Sequence, residues 1–137
     1  MSKSEPTIEH ICHEGVLLAL LVPAQPHPEA TTFYTPGELT LQCGRVVYTA
    51  GSEIPRHRHE PIDRAVVGTP EVLVIEKGRV TVDLYAADGS YVSNHTLCHG
   101  DVIVLLTGGH GFRVIDDAVL LEVKQGPYLG ARDKRFL

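Results

Sequence analysis

Two histidines near the middle of the chain have the spacing of metal ligands on a strand. His57 and His59 are separated by one residue within the stretch Gly51–Gly78. Residues i and i+2 of a β-strand point to the same side, so both imidazoles would project together if this stretch is a strand. Imidazole is a favoured ligand of first-row transition metals. The pair therefore predicts half of a metal site, the alternative being a solvent-facing pair beside a turn.

A carboxylate and a third histidine are candidates for the other half of that site. Glu71 opens the apolar run Glu71–Ile75, where a buried carboxylate is costly unless it is paired or binds a cation. His110 follows two glycines, which allow the backbone to turn sharply beside it. The alternatives are an ion pair of Glu71 with Arg64 or another arginine, and a turn in which His110 hydrogen-bonds to the backbone.

Short strands are the elements that would position these residues. Apolar and polar residues alternate over Val80–Tyr85, as in a half-buried strand, and Asp88-Gly89 indicates a hairpin. The pattern predicts an all-β fold with little helix, an antiparallel sandwich or barrel. Glu5–His13 fits either a short helix or a further strand. The expected strands are Val16–Val22, Leu39–Ala50, Val72–Glu76, Val80–Ala86, Tyr91–Leu97, Val102–Leu106, Gly111–Ile115 and Val119–Lys124.

The spacing of these residues resembles the first conserved motif of the cupin superfamily. That motif is a glycine, five residues, His-x-His, a later Glu, six residues and a glycine, matched here by Gly51, His57, His59, Glu71 and Gly78. The residues Gly100, Gly108 and His110 resemble the glycines and the histidine of the second conserved cupin motif. The segments Gly108–Phe112 and Glu122–Tyr128 resemble a subgroup of small, stand-alone cupins.

The resemblance implies a fold and a metal site. The fold would be a double-stranded β-helix, a jelly-roll-like barrel, with one domain over residues 1–137 and its core at about 38–125. The site would hold one divalent metal (Fe, Mn, Ni or Zn) inside the barrel through His57, His59, Glu71 and His110. Eleven residues separate His59 from Glu71, more than the family usually has, so Glu60 and Asp63 are alternative carboxylate ligands.

Further side chains are candidates for binding a small polar ligand. Glu122 and Lys124 share one face of the last strand, and would orient a ligand if that face lines the barrel or remain solvated if it does not. Arg64 and Tyr48 are the other candidates. A carbohydrate-derived or carboxylate compound suits a polar cavity mouth that carries arginine. The tail Gly130–Leu137 is expected to be peripheral.

Composition limits the classes of partner. The net charge is −5 and the chain lacks a basic run, which argues against nucleic-acid binding. The longest apolar run, Val16–Val22, is too short for a membrane helix of ~20 residues. Three cysteines without paired spacing, and residues 1–10 without signal-peptide order, favour a soluble cytoplasmic protein. We expect a homodimer in which Val16–Val22 is buried.

The expected function is that of a small metal-binding cupin that binds or transforms a small polar molecule. If it is an enzyme, an open metal position would suit an oxygenase or an isomerase. One alternative is a metal-independent sugar-nucleotide epimerase or isomerase, with a histidine base and a tyrosine acid. Another is a ligand-binding cupin without catalysis.

Overall fold

Strands dominate the computed structural model, which describes residues 4–137. Strand makes up 43% of the structure and helix almost none, which confirms the expected all-β class. The domain predicted over residues 1–137 includes residues 1–3, which lie outside this range. Within the described range, the elements are β1 (Glu9–His13), β2 (Val16–Val22), β3 (Thr32–Phe33), β4 (Gly44–Arg45), β5 (Glu71–Tyr85), β6 (Tyr91–Leu97), β7 (Val102–Leu105), β8 (Gly109–Lys124) and a 3-10 turn (Gly130–Asp133).

One antiparallel sheet contains most of these strands, in the order β1-β2-β7-β5-β6, with β8 on the other side of β5. The start of β5 pairs with β7 and its end pairs with β6, whereas β8 accompanies β5 from Glu71 to Tyr85. The register of β5 and β8 shifts between Ile75 and Val80. Such bulges bend a strand and increase its twist. The sheet therefore curls strongly, into half of a barrel.

Two apolar clusters pack on the two faces of this sheet. Alternate residues of β5, such as Leu73, Ile75 and Val82, belong to the larger cluster. Leu20, Val22 and Val104 belong to the smaller one, which segment 34–43 covers through side chains such as Tyr34. Successive residues of a strand point to opposite faces of the sheet. Each long strand therefore places some of its side chains in one apolar cluster and the others on the opposite face.

Several predicted strands prove to be parts of longer ones. Val72–Glu76 and Val80–Ala86 lie largely within β5, and the two runs predicted after residue 110 lie within β8. Lys77-Gly78 was expected to be a turn and is instead part of the bulged region, because a bulge absorbs extra residues without ending the pairing. Asp88-Gly89 does form the hairpin between β5 and β6, where the Asp88 carboxylate accepts a hydrogen bond from the Ser90 amide. Of the alternatives for Glu5–His13, the structure has a strand, β1.

The prediction of a strand over Leu39–Ala50 is wrong. Only Gly44–Arg45 is strand there, paired with Thr32–Phe33. Around this run, the Gln42 side chain donates to the carbonyl oxygens of Pro36 and Leu39, and the Cys43 amide donates to Thr35 Oγ1, so side chains compete with a strand ladder for the backbone. Residues 46–70 contain no strand in the described structure, and residues 48–68 are exposed. His57 and His59 therefore lie on an exposed loop, not on a strand as predicted.

The apolar run Val16–Val22 is buried within its own sheet. As β2 it pairs with β1 on one side and with β7 on the other, and Leu18–Val22 are buried. Its composition is explained by this central position, and a homodimer stays a prediction. Among residues 4–137, we find no helix with the length and apolar character to span a membrane.

We expect Gly78→Ala to destabilise the fold far more than Gly51→Ala. Both glycines have a positive φ, +83° and +85°, and an L-residue in that conformation costs roughly 1–2 kcal/mol. A Cβ at Gly78 would also collide with the backbone carbonyl of Asp117 in β8, whereas a Cβ at Gly51 meets nothing. Denaturant unfolding should show a loss above about 3 kcal/mol for Gly78→Ala and about 1 kcal/mol for Gly51→Ala. Equal losses would contradict the close approach of β5 and β8.

Candidate functional site

An acid and an imidazole from opposite ends of β5 and β8 meet inside the curled sheet. Glu71 is the first residue of β5, and His110, near the start of β8, pairs with Leu84 near the end of β5. Thirteen residues of straight strand would separate these ends by ~40 Å. Yet His110 Nε2 lies 3.1 Å from Glu71 Oε2. The two side chains can meet only because the sheet is curled and both point to its concave side.

Two further charged side chains from β8 share this concave side. Lys124 pairs with Glu71 in the register, and Glu122 pairs with Leu73. Directly paired residues of an antiparallel sheet point to the same face. The Glu122 side chain is within hydrogen-bonding reach of Glu71. The structure thus brings together four of the predicted site residues: Glu71, His110, Glu122 and Lys124.

The environment pushes the pKa of Glu71 up and the pKa of His110 down. Burial is the main cause of the rise at Glu71, to a pKa of about 7, reinforced by the hydrogen bond and charge of Glu122 and opposed by Lys124 and Lys134. Burial also lowers the pKa of His110, with Glu122 opposing that change and Lys134 adding to it. Near neutral pH, a carboxyl that is about half protonated therefore lies beside an imidazole whose protonated form is disfavoured. Such a pair can donate and accept protons in the physiological range.

His57 and His59 are close to each other, although away from any strand. Their ring centroids are 5.3 Å apart in an edge-to-face arrangement. His57 Nδ1 lies 2.8 Å from the Pro55 carbonyl oxygen, so the tautomer that donates there leaves Nε2 free to bind a metal. This second-nitrogen hydrogen bond is typical of histidine ligands. The imidazoles of His57 and His59 are therefore suitable as two ligands of a metal site.

The four predicted metal ligands are not assembled in one place. Across residues 4–137, no three His, Cys, Asp or Glu side chains lie close enough together to hold one ion. Glu71 and His110 form one pair inside the sheet, and His57 and His59 form another on the exposed segment 48–68. The alternative carboxylates Glu60 and Asp63 are on that same exposed segment. The donor types fit a transition metal, but their placement separates the set into two halves.

Two predicted ligand-binding residues lie on this exposed segment as well. The Tyr48 side chain is 61% exposed, and Arg64 is exposed. The ion pair of Glu71 with Arg64, weighed above as an alternative, is not formed among the described residues, where the partner of Glu71 is His110. The structure thus places Tyr48 and Arg64 outside the cluster on the concave side, because residues 48–68 are exposed.

The C-terminal segment contributes residues that the sequence pattern did not single out. The tail was expected to be peripheral, yet Lys134 is near enough to influence the pKa of both Glu71 and His110. Thr69 Oγ1 donates to Asp133 at 3.2 Å, which anchors the 3-10 turn beside the start of β5. No local pattern predicts this contact, because it joins residues 64 positions apart. Gly130, with φ +66°, was the one local signal of a turn back toward the sheet.

Comparisons with known proteins leave the function to be argued from these side chains. No family model matches the chain. No curated protein and no solved structure shows significant similarity to it. The geometry of the Glu71–His110 pair and its neighbours is therefore the basis for any function.

In the metal-free protein, we expect Glu71 to contribute a loss of stability as the pH rises from about 4.5 to about 7, because it ionises at a lower pH in the unfolded state than in the folded state. Its pKa is raised from 4.5 to about 7, so between these values the folded state binds more protons than the unfolded state, and the free energy of unfolding falls with pH. Glu71→Gln removes this titration and should flatten the curve by on the order of 2–3 kcal/mol across the window. Urea unfolding at a series of pH values measures the difference.

Glu76→Gln is the matched control for this experiment, because Glu76 is an exposed residue of the same strand. This variant should retain the wild-type dependence on pH. If Glu71→Gln also retains the wild-type dependence on pH, Glu71 is ionised in the folded protein at neutral pH, and the raised pKa of Glu71 is wrong.

Proposed function

We propose that this protein is a small metal-binding cupin that binds or transforms a small polar molecule. The observation that carries the proposal is the 3.1 Å contact between Glu71 and His110 on the concave side of a curled β-sheet. The same two residues are the Glu and His that the motif resemblance assigns to a metal. The proposed complete fold is a double-stranded β-helix, which would form when the exposed segment 48–68 packs on the concave side of the half-barrel.

Segment 48–68 would complete the ligand set in this proposal. It carries His57 and His59 as an adjacent pair, and its exposure leaves it free of packing that would have to be broken. Approach of this segment to the concave side would bring both imidazoles to Glu71 and His110. A divalent metal held by these four side chains would supply Lewis-acid polarisation of a bound oxygen, or oxygen activation if it is iron.

The chain's own residues would handle the proton and the ligand. Without a metal, the Glu71–His110 pair could take up or release a proton near neutral pH, whereas with a metal bound both groups would be deprotonated ligands. Glu122 would accept hydrogen bonds from ligand hydroxyl groups, and Lys124 would bind a negative group. A carbohydrate-derived or carboxylate molecule fits this combination of groups. If the reaction is catalytic, an isomerase or an oxygenase is the class that suits them.

A metal-independent sugar-nucleotide epimerase or isomerase is the second candidate. The raised pKa of Glu71, beside His110, favours this candidate, because acid–base chemistry on a sugar needs groups that titrate near neutral pH. The tyrosine acid would have to come from the C-terminal segment, where Tyr128 lies beside Lys124. A third possibility is a cupin that binds its ligand without catalysis.

The proposal also includes the location and the partners. We expect a cytoplasmic homodimer that binds a small molecule and that binds neither nucleic acid nor a membrane. The net charge of −5 is in keeping with the absence of a nucleic-acid partner. Light scattering on the eluting protein gives the molar mass directly. We expect twice the chain mass of 14.9 kDa, and a mass of one chain would refute the dimer.

We expect about one equivalent of transition metal in the wild-type protein and little in the His57→Ala/His59→Ala variant. Removing both imidazoles leaves only the Glu71–His110 half, which lacks the ligands for stable binding. Plasma mass spectrometry on tag-free protein, before and after reconstitution with Fe, Mn, Ni or Zn, measures the content. Glu71→Gln should lower it as well.

His27→Ala/His99→Ala is the matched control, because both histidines are exposed and lie outside the proposed set. It should keep the wild-type metal content. Absence of metal from reconstituted wild-type protein would refute the metal-binding proposal and favour the metal-independent isomerase. Equal loss of metal in both double variants would show adventitious surface binding.

A further inference from the structure

The C-terminal segment encloses a small cavity next to the cluster on the concave side. The cavity has a volume of about 160 Å³. It is lined by Lys124 at the end of β8, by Tyr128, and by Gly130, Ala131, Asp133 and Lys134 of the 3-10 turn and its end. The described structure therefore has a concave surface that joins the C-terminal segment to the strand bearing Glu122.

Two ammonium groups face this cavity. Lys124 Nζ lies 5.7 Å from the centroid of the Tyr128 ring, a cation–π distance that restrains the long side chain. Lys134 follows the 3-10 turn, whose position is fixed by the hydrogen bond from Thr69 to Asp133. Neither lysine forms an ion pair with another of the described residues. Both charges are thus available to a ligand anion.

Hydrogen-bond acceptors lie beside these lysines on the concave side of the sheet. Lys124 pairs in register with Glu71, and Lys134 acts on the charges of Glu71 and His110 from close by. Glu122 adds a carboxylate next to Glu71. Carboxylate oxygens accept hydrogen bonds from hydroxyl groups, whereas ammonium groups bind carboxylates. The site therefore has a cationic end and a hydroxyl-binding end.

We propose that this site binds a small hydroxycarboxylate, with its carboxylate on Lys124 and Lys134 and its hydroxyl groups on Glu122 and, in the metal-free protein, also on Glu71 and His110. At about 30 Å³ per water, the cavity has room for roughly five water molecules, which corresponds to a chain of about four carbons. The inference deepens the proposed function by naming the ligand class, and the lysine end does not itself depend on a bound metal.

Three four-carbon probes separate the two ends of the site. Threonate carries a carboxylate and hydroxyl groups, butanoate only the carboxylate, and threitol only hydroxyl groups. Binding is measured by NMR titration at pH 7 of full-length protein, freed of metal on a chelating resin because soluble chelators are themselves carboxylates. We expect threonate to bind at least tenfold more tightly than butanoate or threitol. Threitol binding as tightly as threonate would overturn the lysine role, and butanoate doing so would overturn the hydroxyl role.

Substitutions of the two lysines test their role without altering the core. Lys134→Gln and Lys124→Gln should each weaken threonate binding at least tenfold and leave threitol binding unchanged, and Lys134→Arg should retain most of the affinity. Lys77→Gln is the control, because Lys77 lies in the bulged part of β5, away from the cavity. Wild-type affinity in both Gln variants at the site would refute the proposal.

The outcome is separable from that of the metal proposal. Threonate binding that depends on Lys124 and Lys134 would stand even if the wild-type protein takes up no metal. Conversely, one equivalent of metal held by His57 and His59, with no threonate binding to either the metal-free or the reconstituted protein, would refute the hydroxycarboxylate and retain the metal site.

Discussion

The long antiparallel ladder between β5 and β8 is the interaction on which the candidate site depends. It runs from the Glu71–Lys124 pair to the Tyr85–Gly109 pair, with shifts of register in the middle. Those shifts curl both strands, and the curl brings Glu71 to His110. The close approach of Gly78 to the backbone near Asp117 lies in the same region. Anything that straightens this ladder would separate the acid from the imidazole by tens of ångströms.

Burial of Glu71 is the second constraint, and it is an electrostatic one. The side chain is 12% exposed, and a carboxylate in such a place is costly unless it is neutral, paired or bound to a cation. The fold leaves each of these solutions open: a proton near pH 7, the imidazole of His110, and the nearby charges of Lys124 and Lys134. The same features that lower the cost of burial make the group useful for proton transfer or for binding a metal.

The exposed segment 48–68 carries one half of the proposed ligand set, away from the half on the concave side. Ordering about five residues around His57 and His59 on the sheet would cost roughly 5–10 kcal/mol of backbone entropy. Binding of a structural zinc ion supplies roughly 10–16 kcal/mol in small domains. The metal would therefore be sufficient to hold this segment against the concave side, whereas the two histidines alone form no contact that would do so. Metal binding and completion of the barrel are thus a single event in the proposed function.

The β class, the Asp88-Gly89 hairpin and the apolar strand Val16–Val22 follow from the sequence itself, because alternation and turn residues act over a few positions. Glu71 is likewise recognisable as an acidic residue at the mouth of an apolar strand. Only the tertiary structure decided that β5 and β8 are continuous through their bulges, and that Leu39–Ala50 is not a strand. It alone placed Lys134 near Glu71. These outcomes depend on which strand finds a partner and on how far the sheet curls, and both are set by contacts between residues distant in sequence.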